Sequence, residues 1–296
     1  MGNTFINIGR KYYNWVNSKG GVYIMGTYIT VASVRRSCGI LVGEISDDDV
    51  EDTITEVEAQ IPRFFNTFYT PTERIDILNG DGTNRLLLDK NPVLSVRALK
   101  IDGTTEDVAN LDVYKDSGYI FLNEDATTAI FTDQKNAIVV KYLYGTVDLS
   151  STTTSTSAAE VAGTSVSVVV ADGSSFAEND WVEISGMDGN RETAQISSIS
   201  LNTLTIDQLV LAHEASSTVT KIEINETFVK LMNIVASIAL VARIVGQSYT
   251  DIVGYTLAEM HVQKGEPYTQ WRETANQLIK ERDDIMKRIS IRPRVM

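Results

Sequence analysis

The feature that most constrains this chain is an interruption. A mixed helix-and-strand pattern runs as far as Ala137–Gly145, AIVVKYLYG. A different kind of sequence then intervenes, opened by the tract Ser150–Ser157, SSTTTSTS. The helical pattern resumes at Asn225, in NETFVKLMNIVASIALVARIVG. Residues 150–223 therefore read as a small β-module set into a host domain, and a host that accepts such an insertion has a surface turn at that point. A catalytic cleft is a poor place for one. The expected organisation is an N-terminal extension or arm over 1–27, a discontinuous host domain over 28–149 and 224–296, and the inserted module over 150–223.

In the host, Ser46 followed by Asp47, Asp48 and Asp49 marks a helix start. Ser46 can cap, Asp49 stands at the third helical position, and first-turn carboxylates suit the positive end of the helix dipole. The same three acids invite a metal reading, but no further ligand set lies near them in sequence. Val50, Ile54, Val57, Ile61, Phe64 and Phe68 continue as one apolar stripe, and Pro62 is expected to end or kink the helix. Arg74–Leu78 and Arg85–Leu88 flank Asn79-Gly-Asp-Gly82, which predicts a hairpin; Asp81 and Asp89 lack the spacing of a calcium loop, so turn chemistry accounts for them. Pro92–Ile101 reads as a strand stopped by Asp102-Gly103. Asp112–Lys115 and Gly118–Leu122 form a second hairpin around Asp116-Ser117, and Ala137–Tyr144 closes the series.

The insert alternates from Thr164 onward, through Val166, Val168 and Val170. Further strands are predicted at 180–184, 193–199, 203–206 and 218–224, a short even spacing that fits a small barrel or sandwich. Trp181 reads as core, with ligand stacking as the alternative, and His213 as a turn residue. Beyond the insert, Phe228, Leu231, Val235, Ile238, Ala239, Ala242 and Val245 form a broad apolar face. The remaining face also contains Val229, Ile234 and Val241, so this helix is expected in a core or a subunit interface. The last helix is expected to start near Pro267 and to end in a basic tail.

Composition limits the function classes. The formal charge is 26 − 39 = −13, which argues against a general nucleic-acid-binding surface but suits a wall past which DNA must slide. Cys38 is the single cysteine, so no intramolecular disulfide forms, and neither His213 nor His261 sits in a nucleophile motif. Leu231–Val245 is short for a membrane span and contains Asn233 and Arg243, and the N-terminus lacks the apolar run of a signal peptide. No Walker-type loop, metal cluster of Cys and His, or nucleophile elbow is present, so neither an enzyme nor a cofactor is expected.

Four pieces occur in order: ISDDDVEDTITEVEAQI; RIDILNGDGTNRLLL; NPVLSVRALKIDG with LDVYKDSGYIFL; and VVKYLYG, which leads past the insert to an apolar helix and a charged one. This ordered set, over roughly Tyr28–Gly145 and Glu226–Arg294, resembles the head–tail connector (adaptor) proteins of tailed phages and related tailed viruses. The resemblance implies an α+β fold, with a helical connector core, a small antiparallel sheet and an inserted all-β module. It implies a non-enzymatic virion protein at the head–tail junction, assembled in the host cytoplasm as a ring of about twelve copies. Its implied partners are the portal protein, a tail or stopper protein, and packaged DNA passing through the lumen without sequence recognition. No membrane is involved. The implied portal contact is the C-terminal segment with Arg282, Lys287, Arg288, Arg292 and Arg294; Phe228, Leu231, Val235, Ile238 and Val245 fall on the ring or core helix. The other reading open to the sequence is a binding module whose insert recognises a glycan or cell-surface ligand through Trp181.

Overall fold

The protein is described here from a computed structural model. The structure describes residues 28–41, 43–65, 67–187, 189–250 and 266–290, together with the paired strands β1 (Tyr13–Val16) and β2 (Val22–Met25). The chain divides into two compact units, one built from residues up to Phe64 and from the helices that follow Glu226, the other from Phe65–Asn225. The fold is mixed α+β. Among the described residues it has four α-helices and, apart from the β1–β2 ribbon, three antiparallel sheets.

The first unit is helical: α1 (Val31–Cys38), α2 (Asp47–Phe65, leaving the unit at its last residue), α3 (Glu226–Thr250) and α4 (Glu266–Ser290). A Thr30–Ser33 capping box opens α1, and Gly39, at φ 70°, closes it. Ser46 accepts from the Asp49 N–H at 3.2 Å, the cap expected for α2. Pro62 does not end this helix, which continues to Phe65. At that point, in the last turn, the missing N–H costs a single ladder bond. Buried Arg35 ties the connection between α1 and α2: its guanidinium donates to Leu41 O at 3.0 Å, Ile45 O at 2.6 Å and Asp47 Oδ1 at 2.7 Å. The stripe Val50, Ile54, Val57 and Ile61 is buried. Helix α3 packs on α1 and on α4; Ser33 Oγ donates to Asn233 Oδ1 at 2.7 Å across the first of these contacts.

The second unit holds the sheets. Its first strands are β3 (Thr72–Leu78), β4 (Arg85–Leu87), β5 (Val93–Ile101), β6 (Thr104–Glu106), β7 (Leu111–Tyr114), β8 (Tyr119–Leu122) and β9 (Ile138–Tyr144). They form a four-stranded sheet, β3-β9-β5-β6, and a three-stranded sheet, β4-β8-β7. The β7–β8 hairpin and the stop at Asp102-Gly103, both residues with positive φ, match the sequence reading. The hairpin predicted across Asn79–Gly82 does not form: β3 pairs with β9 and β4 with β8, so the Asn79–Gly82 loop crosses between sheets. The reason is packing against the 131–136 segment. Gly80 N–H donates to Gln134 O and Gly82 N–H to Phe131 O. A Cβ on Gly80 would stand 2.0 Å from Thr132 O, so this first glycine of the loop serves close approach rather than a tight turn. One core, with Val96, Leu99, Ile120, Phe131, Ile138 and Tyr142 fully or nearly fully buried, fills the space between the two sheets.

The remaining strands are β10 (Val147–Ser155), β11 (Gly163–Val169), β12 (Trp181–Ser185), β13 (Arg191–Ser200), β14 (Thr203–Leu209) and β15 (Thr218–Ile224). They form one six-stranded sheet in the order β10-β15-β12-β13-β14-β11. The Ser/Thr tract is therefore itself strand β10. A bulge at Ile196/Ser198 lets β13 pair with β12 along its first half and with β14 along its second. The sheet curls without forming a closed barrel; its outer strands meet at one bridge, Thr156 to Val170. Inward-facing Val168, Val182, Ile184, Ile196, Leu204, Ile206 and Val219 make its core.

Candidate assembly surfaces

Helix α3 is apolar almost all round, and its neighbours cover only part of it. Phe228, Leu231, Met232, Ile234, Ala236, Leu240 and Val241 are buried. Val235 and Ile238 are half-buried, and Ala239 and Ala242 are exposed. The side chain of Val245 lies outside the described residues. The stretch 226–244 is long and apolar enough to cross a membrane, and 44% of it is buried within the protein. Polar pairs fix the helix in register: Lys230 with Glu281 of α4 at 2.7 Å, and Arg243 with Asp49 of α2 at 2.6 Å. The Ser46 hydroxyl, and then Arg243, lower the Asp49 pKa. Asp49 is thus a cap and an ion-pair partner. Among the described residues no group of three or more His, Cys, Asp or Glu could hold a metal ion.

Two of the basic residues of α4 meet acids of the same helix. Arg282 is half-buried and pairs with its neighbour Asp283 at 2.7 Å, and Lys287 lies 3.9 Å from Asp284. Arg288 is exposed. Arg292 and Arg294 lie outside the described residues. An open groove of about 520 Å³ runs beside α3 and α4, lined among others by Ser37, Lys230, Asn233, Leu278 and Glu281, and the Lys230–Glu281 pair lies along it.

Two buried carboxylates hold the chain in place. Glu58 of α2 accepts the N–H groups of Tyr28 and Ile29, the latter at 3.1 Å. Burial pushes its pKa up to about 7 against the pull of those two bonds. Asp76 of β3 accepts from the Tyr142 hydroxyl at 2.6 Å, the Asp89 N–H at 3.1 Å and Arg74 Nε. Burial, and then the Asp76 carboxylate, raise the Tyr142 pKa. Burial likewise raises that of the Cys38 thiol, which is 3% exposed; it is an inert core group.

The six-stranded sheet is fastened to the strands before it by charged groups that the sequence reading did not single out. Arg97 of β5 is 3% exposed, donates to Gln208 O at 2.7 Å and lies 3.4 Å from Asp207. Glu183 of β12 takes Lys115 at 3.4 Å and Arg191 at 3.0 Å. Within the insert, His213, read as a turn residue, is a buried residue bridged to Glu160: Nε2 lies 2.9 Å from Glu192 Oε1, and the same carboxylate accepts the Val210 and Leu211 N–H groups. Trp181 is half-buried on β12. Nothing in local sequence marks these partners, because every contact except Glu183–Arg191 joins residues distant along the chain. No known family model matches this chain, and none of the curated proteins compared with it is similar to it.

Proposed function

We propose that this chain is a structural virion protein, a head–tail connector that forms a ring of about twelve copies beneath the portal, extends the DNA channel and offers the tail its attachment site. In this reading the helical unit is the connector core, the two smaller sheets are its β-part, and the six-stranded sheet is a module inserted after that β-part. The observation that carries the reading is α3. Among the described residues its neighbours leave Val235 and Ile238 half-buried and Ala239 and Ala242 exposed, as expected of a helix that completes its burial in a subunit interface. The ordered sequence pattern and the net charge of −13, suited to a wall that does not hold DNA, support the same reading.

The test is solution mass by light scattering, alone and with portal protein, joined to electron-microscopy averages. Rings, or rings appearing only on portal, are expected. Ile238→Asp should fold and fail to assemble, whereas Leu240→Asp, at a buried position, should fail to fold. Deletion of 291–296 should leave the ring and weaken portal attachment. A monomer that ignores portal refutes the reading.

A further inference from the structure

The three-stranded sheet β4-β8-β7 keeps one face in the core, with Leu86, Leu111, Ile120 and Leu122 buried. Its other face is apolar and open. Across the register, Leu87 lies beside Tyr119 and Tyr119 beside Tyr114; in the next row Arg85 lies beside Phe121 and Phe121 beside Asp112. Leu87 is 49% exposed and Tyr114 57%. Tyr114 meets Phe121 edge-on, with ring centroids 5.1 Å apart. Two tyrosines, a phenylalanine and a leucine side by side on an open sheet face mark an interaction surface.

The charges choose its occupant. Arg85 and Asp112 are exposed at opposite edges of one row. Among the described residues neither closes an ion pair; Arg85 acts on Asp81 only as a neighbouring charge that lowers its pKa. We propose that this face pairs with the same face of a second copy about a two-fold axis running along β8. That rotation exchanges the β4 and β7 edges. It sets Arg85 against the partner's Asp112, Leu87 against the partner's Tyr114, and Phe121 and Tyr119 each against itself. A surface carrying opposite charges at equal distances from its centre line, with aromatic groups on that line, is self-complementary, as an isologous interface requires. Any other partner would have to reproduce this pattern. The pairing is independent of the connector reading and doubles the mass of whatever unit carries it.

The experiment is a concentration series in sedimentation and light scattering on the full chain, with Arg85→Asp and Asp112→Arg examined singly and mixed. Both sites are exposed, and circular dichroism checks that the fold is retained. The wild type should double in mass with concentration, less readily at high salt. Each single reversal faces like charge with like and should lose the doubling. An equimolar mixture of the two restores opposite charges at both contacts and should recover it, as should the double reversal in one chain. A wild type that shows no doubling up to millimolar concentration overturns the pairing. So do single reversals that double as the wild type does, or folded variants whose mixture fails to recover.

Discussion

Replacing Tyr142 by Phe removes one oxygen from the centre of the four-stranded sheet and little else. The ring stays, fully buried, in its packing. What disappears is an O–H donating to the Asp76 carboxylate at 2.6 Å and an acceptor for the Lys90 N–H at 3.1 Å. A hydrogen bond to a charged group contributes about 1.5–3 kcal/mol, and a neutral one about 1 kcal/mol. The expected loss is therefore about 3 kcal/mol, large for the removal of one atom. Asp76 keeps the Asp89 N–H and Arg74 as partners, so the sheet should persist. Urea unfolding should show a lower midpoint with an unchanged slope. Combining Tyr142→Phe with Asp76→Asn should cost less than the sum of the two by about 1–2 kcal/mol, the coupling of groups in direct contact. A loss for Tyr142→Phe below about 0.5 kcal/mol, or additivity of the pair within that margin, would show that the hydroxyl does not act through Asp76.

The Glu58 carboxyl, ordinarily near 4.5, is raised to about 7 by burial, so the folded state holds a proton that the unfolded chain releases. Its contribution is complete below the unfolded value and is lost as pH rises through the folded one. Stability should fall by up to about 3 kcal/mol between pH 4.5 and 7, and Glu58→Gln, which keeps an acceptor for Tyr28 and Ile29, should flatten that part of the profile measured by thermal unfolding. Glu192→Ala strips the acceptor from His213, Val210 and Leu211 together, and should destabilise the six-stranded sheet by about 3 kcal/mol or more, read as faster amide exchange confined to β11–β14. Gly80→Ala should cost about 2 kcal/mol or more through collision with Thr132 O, whereas Gly82→Ala, with φ 75° and its nearest neighbour at 3.7 Å, should cost about 1 kcal/mol, both read as denaturation midpoints.

What the sequence shows here is local chemistry. The Ser46–Asp49 cap, the β7–β8 hairpin, the Asp102-Gly103 turn and the start of α4 beside Pro267 all rest on residues within a few positions of one another. The fold hides where distant segments decide. Asn79-Gly-Asp-Gly82 carries every mark of a hairpin, yet the segment 131–136 claims Gly80 and turns the loop into a passage between sheets. SSTTTSTS has the composition of a linker, yet β15 pairs with it across more than sixty residues of chain. The candidate surfaces divide in the same way. That α3 is apolar all round is legible from periodicity; that Val235 and Ile238 are the residues left half-covered depends on where α1 and α4 lie.

The path of the chain into and out of the insert has a practical meaning. Val147 lies opposite Ile224 and Leu149 opposite Ile222, so the incoming and outgoing backbones stand about 4.8 Å apart, one strand spacing. At that point the host strands meet the same boundary that any hairpin tip would impose, whatever lies beyond it. The position is a natural splice site: another small domain with neighbouring termini could be grafted between 149 and 222 without lengthening or redirecting the host strands. Arg97 sets the condition on the graft. A replacement that stands clear of Arg97 leaves the guanidinium to water, and one that covers it has to bring a carbonyl or carboxylate of its own to the place Gln208 and Asp207 now occupy.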